Sequence, residues 1–220
     1  MMIPDFHTHT LRPDAIVDID PSVDAAISLS APYFYSVGIH PWNAERANET
    51  LLQQLHTLAS HPRVVAIGET GLDLVHHGPQ SNDTTLQGQT DLLKYHTELS
   101  ETTGKPLILH IVRQFNEIIR LKAAWRPSQP WIIHGFRGKP QLARELVRHG
   151  FYISIGEHFN QASLAEIPPE RLLLETDDSD LSIHNIARLA GVTDVAPAMK
   201  SIALKSGEFG AFYSRMSEES

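Results

Sequence analysis

The sequence contains no cysteine among its 220 residues. This absence excludes disulfide frameworks, zinc sites built on cysteine, iron–sulfur clusters and thiol nucleophiles. Positive charge is also scarce, because 18 Lys and Arg residues stand against 26 Asp and Glu residues and give a formal net charge of -8. That balance argues against a protein that binds duplex nucleic acid through a basic surface.

Long hydrophobic segments and targeting signals are missing as well. No apolar run approaches the roughly 20 residues that a membrane-spanning helix needs. Residues 1–5 have neither the basic nor the apolar region of a signal peptide. We therefore expect a cytoplasmic chain without membrane association, and the sequence indicates no obligate protein partner. The length suits a single domain over residues 1–220.

Eight short apolar runs, rich in β-branched or aromatic residues, alternate with longer and mostly amphipathic stretches. Continuous apolar character is typical of strands that are buried on both faces, as in parallel sheets. The repeated order of strand and helix predicts an α/β fold, a (β/α)8 TIM-type barrel. Few residues separate the first two runs, so we expect a distorted barrel whose first helix is missing or vestigial. The predicted strands are residues 3–7, 15–19, 33–40, 64–69, 107–110, 131–134, 151–155 and 172–177.

Histidine is abundant, with 13 residues, and it is the commonest metal ligand among side chains. Four histidines and two carboxylates each end a predicted strand, and the C-terminal ends of barrel strands meet on one face. These residues are His7, His40, Glu69, His110, His134 and Asp177, and His9 would join them. We predict that the other eight histidines lie on the surface, with His76 and His77 nearest the site. These eight are His56, His61, His76, His77, His96, His149, His158 and His184.

This set of imidazoles and carboxylates suits two divalent cations, each with an open position for water or substrate. A carboxylate placed mid-chain among the ligands is the natural bridge between them. Two cations would leave the site at about +2, which favours an anionic substrate in an otherwise acidic protein. Paired cations can activate water and polarise a phosphoryl or carbonyl oxygen.

Several motifs resemble the TatD family of metal-dependent deoxyribonucleases, in the amidohydrolase superfamily. They occur in the family's order between residues 5 and 177. The segments at residues 67–73 and 175–177 are specific when they occur together, whereas His-x-His alone is not. A PHP-type phosphoesterase shares that opening motif, but residues 67–73 favour TatD. The matching positions are His7-Thr8-His9, residues 37–41, residues 67–73, His110, residues 134–138 and Glu175-Thr176-Asp177.

The resemblance implies a role for each of these residues. His7, His9, Glu69 and Asp177 would surround one metal ion, and Glu69, His110 and His134 would hold the second. Glu69 and Asp177 would be catalytic, because Asp177 would orient the attacking water and accept its proton. His40 and Arg113 would contact the substrate. The implied reaction is exonuclease-like hydrolysis of a phosphodiester in DNA or a smaller molecule, with Mg, Mn or Zn as the ion.

Two departures from the family pattern keep other functions open. Val112 stands where the family usually has Arg, with Arg113 one position later, and Asp178-Ser179-Asp180 adds two carboxylates after Asp177. Both changes weaken the grip on phosphate, and they mildly favour an amidohydrolase-type enzyme that acts on a small ester or amide. A third possibility is an inactive metal-binding interaction domain.

Overall fold

The computed structural model describes residues 3–24, 27–76 and 83–218, with only the backbone described at 83 and 84. Its strands are β1 (Asp5–Thr8), β2 (Ala15–Ile19), β3 (Phe34–Val37), β4 (Val64–Asp73), β5 (Leu107–Val112), β6 (Trp131–Ile133), β7 (Tyr152–Ile155) and β8 (Leu172–Leu174). Its α-helices are α1 (Glu49–Ala59), α2 (Asp83–Thr103), α3 (Phe115–Trp125), α4 (Pro140–Arg148), α5 (Gln161–Leu164), α6 (Ile183–Ala190), α7 (Ala196–Ala203) and α8 (Phe209–Glu218). Short 3-10 helices span Pro41–Arg46 and Pro169–Arg171.

The predicted TIM-type barrel is confirmed. All eight strands are parallel, and each pairs with the next strand along the chain, in the order β1 to β8. Within the described residues, neither the connection from β1 to β2 nor that from β2 to β3 contains an α-helix. The expected loss of the first helix is therefore correct, and the second connection is reduced as well. No helix in the described part of the chain is long and apolar enough to cross a membrane.

The barrel closes where β1 meets the segment after β8. Asp177 N donates to the carbonyl of His7 at 2.9 Å, next to a parallel bridge between Thr8 and Asp177. The buried Asp5 carboxylate accepts bonds from Thr176 N at 2.9 Å and Thr176 Oγ1 at 2.6 Å, and burial raises its pKa to about 6. Arg12 donates to the same carboxylate at 2.6 Å. These contacts hold the first and last strands of the barrel together.

The strand β4 extends four residues beyond its predicted end at Glu69, and β5 extends two beyond His110. The register between them shifts between Ile67 and Thr70, and such an irregularity changes where a side chain points. Two glycines permit the close approach of the two backbones. A Cβ on Gly68 would lie 2.5 Å from Ile108 O, and one on Gly71 would lie 2.0 Å from His110 O. Larger residues would therefore separate β4 from β5.

The prediction that His96 lies on the surface is wrong, because this side chain is fully buried. The imidazole Nε2 accepts a hydrogen bond from Ile39 N at 2.9 Å, and Nδ1 lies 2.8 Å from Leu92 O. The bond accepted by Nε2 requires a neutral ring with its proton on Nδ1, and burial lowers the pKa of His96 to about 4. Buried residues of α2 lie three, four and seven positions from His96, a helical period that the sequence already contains. They are Gln89, Leu92, Leu93, Leu99 and Ser100.

We predict that His96 makes the protein sensitive to mild acid. The folded pKa of about 4 lies below the unfolded value of about 6.5, so protonation favours the unfolded chain. Its stabilising effect is complete above pH 6.5 and is lost as the pH falls towards 4, by about 3 kcal/mol in all. Urea unfolding of the metal-free protein between these pH values measures the loss.

The control compares two histidine variants. In His96→Gln the free energy of unfolding should depend less steeply on pH than in the wild type. The exposed His56 offers a matched change, and His56→Gln should keep the wild-type slope. Equal slopes for wild type and His96→Gln would contradict the prediction.

Candidate metal centre

The carboxylate of Glu69 lies at the centre of the barrel mouth and is 4% exposed. Its Oε1 atom is 2.7 Å from His134 Nε2, 2.8 Å from His110 Nδ1 and 3.3 Å from His40 Nε2. Its Oε2 atom faces the opposite side, 3.4 Å from His7 Nε2. The two oxygens of one buried carboxylate therefore face two different groups of imidazoles.

Asp177 and His9 complete the group on the Oε2 side. Asp177 Oδ1 lies 3.4 Å from His9 Nε2 and 3.8 Å from His7 Nε2, while His9 Nε2 lies 3.9 Å from Glu69 Oε2. The backbone of Asp177 has a φ of 52°, in the left-handed region that Asp tolerates better than most residues. Its bond to the His7 carbonyl fixes that turn. All six predicted metal ligands thus lie in one cluster.

The donor set fits a divalent cation on either side of Glu69. His7 is fully buried, and neither of its ring nitrogens has a hydrogen-bond partner within the described residues. Buried polar atoms without a partner are costly, so this imidazole is suited to a ligand. Four sets of side chains bring their donor atoms within 4.8 Å of one another. These are His7, His9 and Glu69; His7, His134 and Asp177; His40, Glu69 and His110; and His9, Asp177 and Asp178.

The electrostatics of the cluster favour positive charge. Burial opposes protonation of His7 and His134, but the Glu69 carboxylate overcomes this effect and raises the pKa of both rings. Burial likewise opposes ionisation of Glu69, yet the charge of His134 and the neighbouring imidazole hydrogen bonds hold its pKa well below the usual range. The hydrogen bond between Asp177 and His9 raises the pKa of His9 to about 9. Against the effect of burial, the same bond lowers that of Asp177 to about 2.

Asp73 belongs to the cluster although the sequence analysis gave it no role. Its Oδ2 atom lies 3.2 Å from His110 Nε2 and accepts a bond from Trp42 Nε1 at 2.7 Å. Against the effect of burial, these bonds hold the pKa of the carboxyl below its usual range. The signal was its spacing from Glu69 and Gly71, because alternate residues of a strand share one face. Because the predicted strand ended at Glu69, the sequence analysis did not place Asp73 on the same strand face as Glu69.

Two further carboxylates contact residues of the cluster and help to position them. Asp18 Oδ1 accepts bonds from Glu69 N and Ser36 Oγ, both at 2.8 Å, and burial raises the pKa of Asp18. Glu175, which is fully buried, accepts a bond from Gly135 N at 2.6 Å. Its Oε1 atom also lies 3.4 Å from His134 Nδ1, so this carboxylate helps to orient the imidazole. Asp18 interrupts the otherwise apolar strand β2. This charge in an apolar run indicated a functional residue, but the sequence analysis assigned it no role.

The two predicted substrate-binding residues lie in different places. His40 borders the cluster, and its Nδ1 atom accepts a bond from Trp42 N at 3.2 Å. Arg113 is exposed, has a φ of 58° and is not among the residues lining the cavity around the cluster. The strand β5 continues to Val112, so Arg113 is the first residue after it, and its role stays a prediction. His76 stacks on Trp42 as expected for a neighbour of the site.

His77 lies outside the described residues. Of the remaining histidines, four are exposed and one is half-buried; they are His56, His149, His158 and His184, and His61.

The cluster opens into a cavity of about 400 Å³. No Lys or Arg is among the residues that line it in the described structure. Its lining carboxylates, besides Glu69, are Asp18, Asp20, Asp24, Asp177 and Asp178. The cavity wall therefore offers carboxylates and imidazoles, but no permanent positive charge, to an incoming molecule.

The chain matches the family model for TatD related DNase over residues 10–203. It belongs to the TatD family. It is 29% identical over 158 residues to the uncharacterized metal-dependent hydrolase TatD of Mycobacterium tuberculosis, covering 69% of this chain and 60% of that protein. It is 33% identical over 163 residues to the uncharacterized metal-dependent hydrolase YjjV of Escherichia coli, covering 70% and 61%. This TatD-family chain thus spans about 60% of the length of these two curated relatives.

One relative carries a more specific name. A protein of Cronobacter turicensis named 3'-5' ssDNA/RNA exonuclease TatD is 34% identical over 152 residues, covering 64% of this chain and 56% of that protein. Among solved structures, the TatD homologue YjjV of Escherichia coli aligns with a TM-score of 0.68 and 21% identity, over 98% of this chain and 95% of that one. A TatD family hydrolase from Entamoeba histolytica aligns with a TM-score of 0.56 and 20% identity, over 83% and 71%. These structural matches show the shared fold.

We predict that divalent cations stabilise the protein through Glu69. A ligand that binds only the folded state at 100 times its Kd adds about 2.7 kcal/mol, which for a chain of this size raises Tm by about 5–10 °C. Metal-free protein titrated with Zn²⁺, Mn²⁺ or Mg²⁺ in differential scanning calorimetry should show this rise with at least one ion. Glu69→Gln keeps the size of the side chain but removes the charge, and should abolish most of the rise.

A surface carboxylate provides the control for that measurement. Glu166 pairs with Arg144 at the surface and is not among the residues that line the cavity of the cluster. The variant Glu166→Gln should keep the full metal-dependent rise in Tm. A rise of equal size in Glu69→Gln would show that the stabilising ion binds elsewhere.

Proposed function

We propose that the chain is a metal-dependent hydrolase that cleaves phosphodiester bonds, and specifically a deoxyribonuclease that acts on nucleic-acid ends. One observation carries the proposal. The buried Glu69 carboxylate directs one oxygen towards His110 and His134 and the other towards His7. This is the arrangement needed for a carboxylate shared by two cations. The exonuclease name of a relative supports the choice of bond.

The proposed cations would each have their own protein donors. His7, His9 and Asp177 would hold one together with Glu69 Oε2, and His110 and His134 would hold the other together with Glu69 Oε1. When bound, such a pair supplies Lewis-acid polarisation of a phosphoryl oxygen, a lower pKa for water and stabilisation of the leaving oxygen. Imidazole-rich donors suit Zn or Mn better than Mg by ligand preference, whereas the family resemblance implies Mg or Mn.

The chain's own residues would handle the proton and the substrate. Asp177 lines the cavity with a side chain that is 25% exposed, so its carboxylate can reach a water and accept the proton. Its bonds to the His7 carbonyl and to His9 keep it in place. His40 Nδ1 accepts a bond from Trp42 N, so Nε2 is the ring atom left to donate, and it faces Glu69 Oε1 at 3.3 Å. A phosphate oxygen that entered beside Glu69 would lie next to the same N–H.

A second candidate is a hydrolase of a small carboxyl ester or amide. The observation that favours it is the cavity wall, where carboxylates are abundant and neither Lys nor Arg is among the described lining residues. A phosphate-binding enzyme commonly uses Arg for bidentate contacts with phosphate. The same pair of cations can polarise a carbonyl oxygen. The two candidates therefore differ in substrate and share the cluster.

We predict metal-dependent cleavage that depends on Glu69 and Asp177. Metal-free protein reloaded with Mg²⁺, Mn²⁺ or Zn²⁺ is assayed on end-labelled single-stranded DNA, on a dinucleotide and on carboxyl esters. Cleavage of the DNA or dinucleotide should fall at least ~100-fold in Glu69→Ala and Asp177→Ala, since each removes a group needed in the transition state. The exposed Asp91 on α2 offers a control, and Asp91→Asn should retain full activity.

The outcomes separate the candidate functions. Cleavage of esters without cleavage of any phosphodiester supports the second candidate. A protein that binds the ions but cleaves none of these substrates fits an interaction domain without activity. Phosphodiester cleavage that survives both Glu69→Ala and Asp177→Ala would overturn the role proposed for the cluster.

A further inference from the structure

An aromatic side chain lies exposed beside the cluster, in a cavity whose other lining residues are mostly carboxylates and imidazoles. Trp42, in the 3-10 helix Pro41–Arg46, is 41% exposed, whereas Trp131 in the core is fully buried. Trp42 lines the same cavity as Glu69 and His110. The apolar Val23 also lines it and is 54% exposed. A large apolar surface left open at a polar site is a feature that needs a reason.

The indole of Trp42 is held in a fixed position. Its Nε1 atom donates to Asp73 Oδ2 at 2.7 Å, and its ring stacks on His76 with centroids 3.9 Å apart and planes within 13°. Its centroid lies 4.6 Å from that of His40 and 5.8 Å from that of His110. A ring fixed before binding loses little entropy when a ligand contacts it.

Part of the indole surface is open to the cavity. Among the described residues, His76 covers one face of the ring, whereas the side chain as a whole is 41% exposed and lines the cavity, which His76 does not. The exposed part of the indole therefore borders the space in front of the cluster. A flat group that stacked there would lie next to a phosphate held between Glu69 and His40.

The charge of the cavity restricts what else could bind the substrate. Within this cavity, a further phosphate of a nucleic acid would meet Asp20, Asp24 or Asp178 rather than a basic side chain. The basic side chain of Arg137 lines the adjoining cavity, which shares Asp177 and Asp178 with this one. Like charges at short range repel, so backbone contacts would weaken binding. Stacking of a base on an aromatic ring is worth about 1–3 kcal/mol, involves no charge and tolerates any base.

We infer that Trp42 binds the unpaired nucleobase next to the scissile phosphodiester by stacking, so that the enzyme selects single-stranded ends of any sequence. The inference rests on the proposed phosphodiesterase function. A base inside a duplex is already stacked and paired, and must leave the helix before it can stack on a side chain. Trp42 is thus assigned as a residue that contacts the substrate and determines its class.

The test compares natural and abasic ends. A single-stranded oligothymidylate and the same oligonucleotide with abasic nucleotides at both ends are digested by the metal-loaded protein. We expect kcat/KM to be ~10-fold or more lower for the abasic oligonucleotide, as the loss of one stacked base implies. In Trp42→Ala the ratio of kcat/KM between the natural and the abasic end should fall from ~10 or more to about 1, whatever the change in overall activity.

A second variant separates stacking from a structural role of the indole. Both Trp42→Ala and Trp42→Phe lose the bond from Nε1 to Asp73, but only Trp42→Phe keeps an aromatic face. Trp42→Phe should therefore retain most of the preference for the natural end. If the two variants lose that preference equally, the indole acts through Asp73 and the inference is overturned.

Fluorescence provides a readout that does not depend on turnover. The chain has three tryptophans, of which Trp42 lies in the cavity. Thymidine monophosphate added to the magnesium-loaded protein should quench part of the emission, and abasic deoxyribose phosphate should not. The quench should disappear in Trp42→Phe and persist in Trp125→Phe.

The outcomes distinguish this inference from the function on which it rests. A wild-type protein that cleaves neither oligonucleotide disproves the proposed function, and the inference falls with it. Equal cleavage of natural and abasic ends by the wild type leaves the function intact and overturns the inference. A nucleotide quench that is the same in Trp42→Phe and wild type also overturns it.

Discussion

The buried negative charge of Glu69 is the constraint on which the rest of the site depends. A carboxylate at 4% exposure is unstable unless positive charge or hydrogen-bond donors surround it. Imidazoles from the ends of four other strands provide that environment. The strands β1, β3, β5 and β6 are far apart along the chain. Only the closed barrel brings their four imidazoles together around Glu69. Burial of the Glu69 charge therefore depends on the same barrel that forms the site.

Closure of the barrel matters because the Oε2 side of Glu69 is built across the seam. His7 comes from the first strand, and Asp177 follows the last strand by three residues. The bond from Asp177 N to the His7 carbonyl joins them directly, and Asp5 holds Thr176 one position before. Opening the seam would separate these donors while leaving the Oε1 side intact. Asp5 and Thr176 thus stabilise the site by holding the seam, although neither is a proposed ligand.

Much of the architecture could be read from the sequence because each ligand interrupts an apolar run. A His or carboxylate at the end of a buried strand leaves a local signal, and the parallel barrel gathers such ends on one face. The failures occurred where tertiary contacts decide the outcome. The alternation of Glu69, Gly71 and Asp73 was visible, but it does not show that β4 continues through a register shift. Gly68 and Gly71 allow this continuation only through their close contacts with β5. His96 was misplaced because its burial depends on a backbone N–H of Ile39, 57 residues away.

The acidity of the chain acquires a specific physical meaning once the cavity is included. A net charge of -8 and a wall of carboxylates give no long-range attraction for a polyanion, so within this cavity positive charge can act only at the cluster itself. Recognition must then occur within a few ångströms, through the reacting phosphate and an uncharged surface beside it. Trp42 is the exposed aromatic surface at that distance, and Asp73 connects it to His110. Asp73 thus positions both the proposed ligand His110 and the proposed base-stacking residue Trp42. This shared contact links the choice of substrate to the geometry of the reaction.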